Sequence, residues 1–146
     1  MGLEIRLAEP SDESEWRRLW KAYLAFYETD RPSEVFDTSW ARILDPDWPM
    51  YSYLAHLDGK TIGLSNFLYH DSFWEAEKRC YLNDLYVDPD IRGSGAGAGL
   101  IEATYEHMKT HGAAQLYWTT AHDNDVARGL YDKLANLTPF IKYNKI

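Results

Sequence analysis

At 146 residues with a formal charge of −8, the chain is sized for one domain over residues 1–146, and it lacks the basic footprint of a dedicated nucleic-acid binder. Aromatic residues are abundant (6 Trp, 11 Tyr and 5 Phe), so the core and any pocket should be rich in rings. The single cysteine, Cys80, excludes an intramolecular disulfide and fits a reducing compartment, while no apolar run is long enough to span a bilayer; a cytoplasmic protein without a membrane partner is expected.

Leu3, Ile5 and Leu7 alternate as a first strand. Asp12 with Glu15 reads as a capping pair for a helix whose apolar face is Trp16, Leu19, Trp20, Tyr23, Leu24 and Tyr27. Pro32 breaks it, and Phe36, Trp40, Ile43 and Leu44 mark a second, shorter helix ending before Pro46. Tyr51, Tyr53, Ala55 and Leu57 alternate toward Asp58-Gly59, a hairpin turn. The strand from Thr61 changes phase between Leu64 and Phe67, which predicts a bulge. Residues 70–78 read as a polar loop carrying Phe73 and Trp74, and Cys80–Val87 as the fourth strand. A helix is predicted over 97–110, stopped by His111-Gly112, then a strand over Gln115–Thr120. Asn124 caps a last helix with Val126, Leu130, Tyr131 and Leu134 on its apolar side, and Phe140–Ile146 reads as a final strand. The order β-α-α-β-β-β-α-β-α-β predicts an α/β domain with a mixed, mostly antiparallel central sheet flanked by helices.

The segment after the fourth strand carries the chemistry. Arg92 is followed by glycines at 93, 95, 97 and 99, which lead directly into a helix. Backbone amides at such a helix start attract an anionic group, and glycine lets a bulky phosphate approach. A P-loop requires Gly-Lys-Ser/Thr, and Gly97-Ala98-Gly99-Leu100 has no lysine. A dinucleotide fingerprint requires a ribose-binding acid about twenty residues on, and Ala113–Trp118 has none.

Arg92-x-x-Gly95-x-Gly97 after Leu85-Tyr86-Val87, followed by Asn124-x-x-Ala127-x-x-Leu130-Tyr131, resembles the GNAT superfamily of acetyl-CoA-dependent N-acetyltransferases. Tyr81–Val87 is similar to the spermidine/spermine and small-amine enzymes, and Trp16–Tyr27 with Phe140–Tyr143 to a branch named after yeast histone and polyamine acetyltransferases. The resemblance implies acetyl-CoA as co-substrate, with its pyrophosphate held at Arg92, Gly93, Ser94, Gly95, Ala96 and Gly97. It further implies main-chain contacts to the pantetheine arm from Leu85, Tyr86 and Val87, a coenzyme A contact at Asn124, and Tyr131 as the acid that protonates the departing sulfur. Relatives of this kind are often dimers, so a homodimer is expected.

Small-amine enzymes of this type commonly carry Glu where this chain has Asn83, and an amide cannot take a proton from an ammonium group. Asp84 is adjacent, but in a regular strand it faces the other way. Deprotonation would then run through a water polarised by Asn83 or a more remote carboxylate, or the acceptor amine has a low pKa and needs little help; Asp84 reads equally as a base and as an ordinary buried or capping carboxylate. An acceptor pocket is expected near Tyr27, Glu28, Asp30, Phe36 and Trp74, with Glu28 and Asp30 facing the distant cationic end of a diamine. His56, His70, His107, His111 and His122 show no paired ligand spacing, and no metal site is expected. The expected reaction is direct acetyl transfer, in a ternary complex, to the primary amine of a small molecule such as a polyamine or an amino acid. The alternatives are a coenzyme A-binding module without turnover and an acetyltransferase of protein or histone lysines.

Overall fold

The computed structural model describes residues 2–91 and 93–146. Nine elements follow in chain order: β1 (Leu3–Leu7), α1 (Glu13–Phe26), α2 (Ser33–Leu44), β2 (Met50–Leu57), β3 (Lys60–Ser72), β4 (Glu75–Val87), α3 (Ala96–Thr110), β5 (Gln115–Tyr117) and α4 (Asp125–Leu134). The sheet order is β1-β2-β3-β4-β5, antiparallel throughout except for the parallel β4–β5 pair.

Helices cover both faces of the sheet, and each face buries its own hydrophobic cluster. On one face Trp16, Leu19 and Leu24 of α1 meet Phe36 and Trp40 of α2 over Leu54 and Leu64. On the other, Ile101 and Met108 of α3 pack on Phe67, Tyr69, Cys80 and Leu82, joined by Leu130, Tyr131 and Leu134 of α4. Neighbouring residues of β3 divide between the faces: Leu64 enters the α1/α2 cluster, whereas Ser65 Oγ lies 3.1 Å from Thr104 Oγ1 of α3. The β2–β3 turn has Asp58 at φ 51° and Gly59 at φ 85°, the two left-handed residues that a tight two-residue hairpin needs.

Four sequence expectations are corrected. Residues 70–78 are not a loop: β3 and β4 continue as a hairpin whose tip is Phe73-Trp74. Residues 71–79 are all exposed or half-buried, so polar residues suit both faces; this part is braced by the Arg79–Glu75 ion pair and by Arg79 lying over the Trp74 ring at 5.4 Å. Asp12 does not cap α1. Its carboxylate accepts two bonds from Arg6, at 2.7 and 3.1 Å, and one from the Glu9 amide at 2.8 Å, while Glu15 pairs with Arg18. β5 has three residues rather than six, and residues 140–146 belong to no strand.

The predicted irregularity in β3 does occur, but the extra residue lies in its partner. Asn66 pairs with Asp84 and Phe67 with Leu82, which leaves Asn83 as the unpaired residue of a β4 bulge.

Candidate active site

β4 and β5 pair only from Arg79 to Tyr81 against Gln115 to Tyr117, so the chains are unpaired beyond that point. A cavity of about 370 Å³ occupies the resulting space. Its walls are the end of α1 (Tyr23, Phe26 and Tyr27), the end of β4 (Leu85, Tyr86 and Val87), the glycine loop with the start of α3, and α4 from Asn124 to Tyr131.

The loop conformation depends on glycine. Gly93 and Gly95 have φ of 88° and 85°, and Gly95 is the residue from which α3 starts. At Gly97 a Cβ would stand 3.3 Å from Leu130 Cδ2, so a side chain here would crowd the α3–α4 approach. Ser94 Oγ accepts from the Ala96 amide at 3.3 Å. The following first-turn amides have no acceptor within the helix, and the helix dipole adds positive potential at this end. Gly93, Ser94, Gly95, Ala96 and Gly97 all line the cavity; Arg92 lies outside the described residues. The site therefore suits an elongated ligand with an anionic group near α3 and an apolar arm along β4.

Asn124 caps α4, its Oδ1 accepting from the Ala127 amide at 3.4 Å, and it lines the cavity together with Tyr131. The Tyr131 ring packs edge-on to Trp118 at 5.4 Å. Burial and, secondarily, the nearby Tyr27 push its phenol up to about 12, so at neutral pH it carries its proton.

Beside this cavity, across β4, is a second one of about 140 Å³, lined by Trp16 and Trp20 of α1, Ser39 and Ile43 of α2, strand residues from Met50 to Leu68, and both Asn83 and Asp84. The expectation that Asn83 and Asp84 face opposite ways fails because of the bulge, which breaks the alternation and turns both toward α1. Asn83 Nδ2 donates to Asp84 Oδ1 at 2.7 Å. Asp84 Oδ2 accepts from Trp20 Nε1 and Asn66 Nδ2, each at 3.0 Å, and Asn66 Oδ1 accepts in turn from Trp16 Nε1 at 3.0 Å. The carboxylate is buried. Burial first, then the nearby Asp84 charge, hold the Tyr23 phenol well above its ordinary value. Tyr23 thus borders the large cavity while lying near the carboxylate that borders the small one. Its helical spacing marked it only as part of a buried face; its polar tip was the available signal.

The remaining expected residues are spread out. Tyr27 lines the large cavity, Phe36 is core, and Glu28, Asp30 and Trp74 line neither cavity. Trp74 stands at the β3–β4 tip, and Glu28 and Asp30 are exposed after α1. Among the described residues, no group of three or more His, Cys, Asp and Glu side chains is arranged to hold a metal, and no helix is long and apolar enough to cross a membrane.

Comparison with known proteins agrees with this geometry. Residues 15–135 match the model of the Acetyltransferase (GNAT) family. The chain is 38% identical over 143 residues to the D-amino-acid N-acetyltransferase HPA3 of Saccharomyces cerevisiae, covering 97% of this chain and 89% of that protein. It is 31% identical over 132 residues to the uncharacterised N-acetyltransferase YhfO of Bacillus subtilis, covering 90% and 87%. Among solved structures, the aminoglycoside N-acetyltransferase AAC(6')-Iy in complex with CoA superimposes with a TM-score of 0.86 at 20% identity, over 99% of this chain and 95% of that one. The same enzyme with a bisubstrate analogue gives a TM-score of 0.88, also at 20% identity, over 100% and 99%. At that identity the structural likeness speaks for the fold, while the family match spans the glycine loop, the β4 bulge and the Asn124–Tyr131 helix together: the chain is an N-acetyltransferase of the GNAT family.

Proposed function

We propose that this single domain transfers an acetyl group from acetyl-CoA to the primary amine of a small molecule, by direct attack within a ternary complex. The observation that carries the proposal is the meeting, in one cavity, of a glycine-built helix N-terminus, a strand end with an unpaired edge and a protonated, half-buried tyrosine. The thioester of acetyl-CoA would supply the activated acyl group.

In this reading the amides from Gly93 to Gly97 hold the pyrophosphate, with Arg92 beside them, and the main chain of Leu85, Tyr86 and Val87 pairs with the pantetheine arm as an added strand would. Asn124 keeps α4 aimed at the cavity and touches the cofactor. Tyr131 donates its proton to the departing thiolate, a role suited to a phenol that stays protonated at neutral pH. The acceptor enters between α1 and β4, its body against the aromatic wall of Trp20 and Tyr27. Its ammonium proton passes to the Tyr23 oxygen as the Tyr23 proton passes to Asp84, which ends as a neutral acid while the amine ends free to attack. Asn83 positions Asp84 and takes no proton. Glu28 and Asp30, exposed beyond α1, face only the outer end of a long diamine.

An amino-acid acceptor is favoured by the identity to a D-amino-acid N-acetyltransferase along nearly the whole chain. A reducing, cytoplasmic setting suits the single, buried Cys80. The test is thiol release from acetyl-CoA with a panel of D- and L-amino acids, diamines, aminoglycosides and lysine peptides. Release that depends on a small amine supports the proposal. Release only with peptides points to a protein substrate, and binding of acetyl-CoA without release with any amine points to a module without turnover.

A further inference from the structure

One side chain that lines neither cavity ties their walls together. Arg18 of α1 forks onto Asp88, Nη1 donating to Oδ1 at 3.3 Å and Nη2 to Oδ2 at 3.2 Å, and Nη2 also donates to the Thr61 carbonyl at 3.0 Å. Glu15, one turn earlier on the same helix, accepts from Arg18 Nε at 3.2 Å and so aims the guanidinium. Arg18 is 42% exposed, but the Asp88 side chain is only 15% exposed, and a two-point contact on a largely buried carboxylate holds better than an ordinary surface ion pair.

Asp88 is the residue at which β4 gives way to the glycine loop. Its amide donates to the Ile62 carbonyl at 2.8 Å, and its carbonyl accepts from the Ile91 amide at 3.1 Å, closing the turn Pro89–Ile91. Pro89 and Ile91 line the large cavity, and the loop glycines begin just beyond them at Gly93. At its other end the fork stands on α1, whose Trp20 lines the small cavity and whose Tyr23 and Tyr27 stand at the large one. Arg18 and Tyr23 lie on one continuous helix, about 7.5 Å apart along its axis, so a restraint at the fork reaches the cavity wall as it would through a rigid rod.

We propose that Arg18 is a positioning residue that couples the two halves of the site: a coenzyme seated on the glycine loop steadies Asp88, and through the fork it steadies α1 and the acceptor wall. This coupling rests on the reading of the large cavity as the coenzyme A site. It is reciprocal, so loss of the fork weakens coenzyme binding as well as releasing α1.

Hydrogen exchange with and without coenzyme A reads the coupling and needs no acceptor. In the unaltered protein, saturating coenzyme A should slow exchange about threefold or more at α1 amides 17–22, none of which belongs to a residue lining the large cavity, as well as at the loop. In Arg18→Gln the loop should still be protected at saturation while the α1 response disappears, and coenzyme A should bind about five- to tenfold more weakly by calorimetry. Asp88→Asn should reproduce both effects, and the double variant should bind no more weakly than either single one, because each change removes the same contact. A purely structural tie would instead destabilise the fold with and without coenzyme and leave the exchange response intact. The wild-type measurement stands whether or not the variants fold. Wild-type α1 amides that ignore bound coenzyme A, an Arg18→Gln protein that keeps the α1 response, or additive losses in the double variant would each overturn the coupling. A wild type that does not bind coenzyme A overturns the functional reading beneath it, a result distinct from those three.

Discussion

His107 offers a quantitative test of the packing beneath the sheet. It is buried in α3, its Nδ1 lies 2.6 Å from the Tyr69 hydroxyl, and its ring is flanked by Tyr51, Tyr53, Phe67 and the stacked ring of His111 at 4.0 Å. Burial, and then the charge on His111, lower it from 6.5 to about 4. The unfolded chain therefore binds a proton that the folded one refuses between those two values, so stability from this group is intact above about pH 6.5 and declines as the pH falls toward 4. The full difference amounts to about 3 kcal/mol, of which about 2 kcal/mol should be lost between about pH 7 and pH 5. Urea denaturation of the wild type and of His107→Gln at the two pH values isolates the effect, because the surface carboxylates are common to both proteins. The wild type should lose about 2 kcal/mol more than the variant over that interval. Equal losses would show that His107 is not a buried neutral ring in the folded state.

Gly95→Ala should lower stability by about 1–2 kcal/mol through its φ of 85° alone, since nothing stands within 4 Å of the new Cβ, and it should weaken coenzyme A binding by calorimetry. Gly129→Ala, in open space on α4, should change stability in the opposite direction by up to about 1 kcal/mol; equal signs would refute the conformational argument. Asp84→Ala leaves the donors of Trp20, Asn66 and Asn83 without their acceptor and should cost about 3 kcal/mol or more in chemical denaturation, whereas a near-neutral change would remove the network from the account. Tyr23→Phe should reduce kcat near neutral pH and recover toward wild type as the pH rises and the amine deprotonates in solution; a deficit independent of pH would exclude the proton route.

Much of the site was readable because it depends on local chemistry. Glycines that need left-handed φ at 93 and 95, and an asparagine that caps a helix at 124, are short-range signals that survive in a bare sequence. Asn83 and Asp84 were misplaced because strand alternation was carried through a bulge, and which strand holds the extra residue is decided by the register of β3 against β4. The β3–β4 extension was missed because residues 71–79 bury neither face, so nothing there imposes alternation. Tyr23 was legible as an apolar helix position but not as a neighbour of Asp84, a residue 61 positions away in the chain brought close only by the packing of α1 on β4. The tail from Phe140 onward has a strand-like pattern, yet residues 140–146 belong to no strand, because pattern alone does not supply a neighbouring strand to pair with.

In the proposed reaction, the cavity between β4, α3 and α4 acetylates an amine with Tyr131 as the acid. Steady-state thiol release by the wild type and Tyr131→Phe, with coenzyme A affinity measured in parallel, tests it most directly. Release should require both acetyl-CoA and an amine, with a kcat about 10²–10⁴-fold lower in the variant and unchanged coenzyme A affinity. Near-normal turnover in Tyr131→Phe would contradict the assigned acid, and the absence of amine-dependent release in the wild type would contradict the reaction itself.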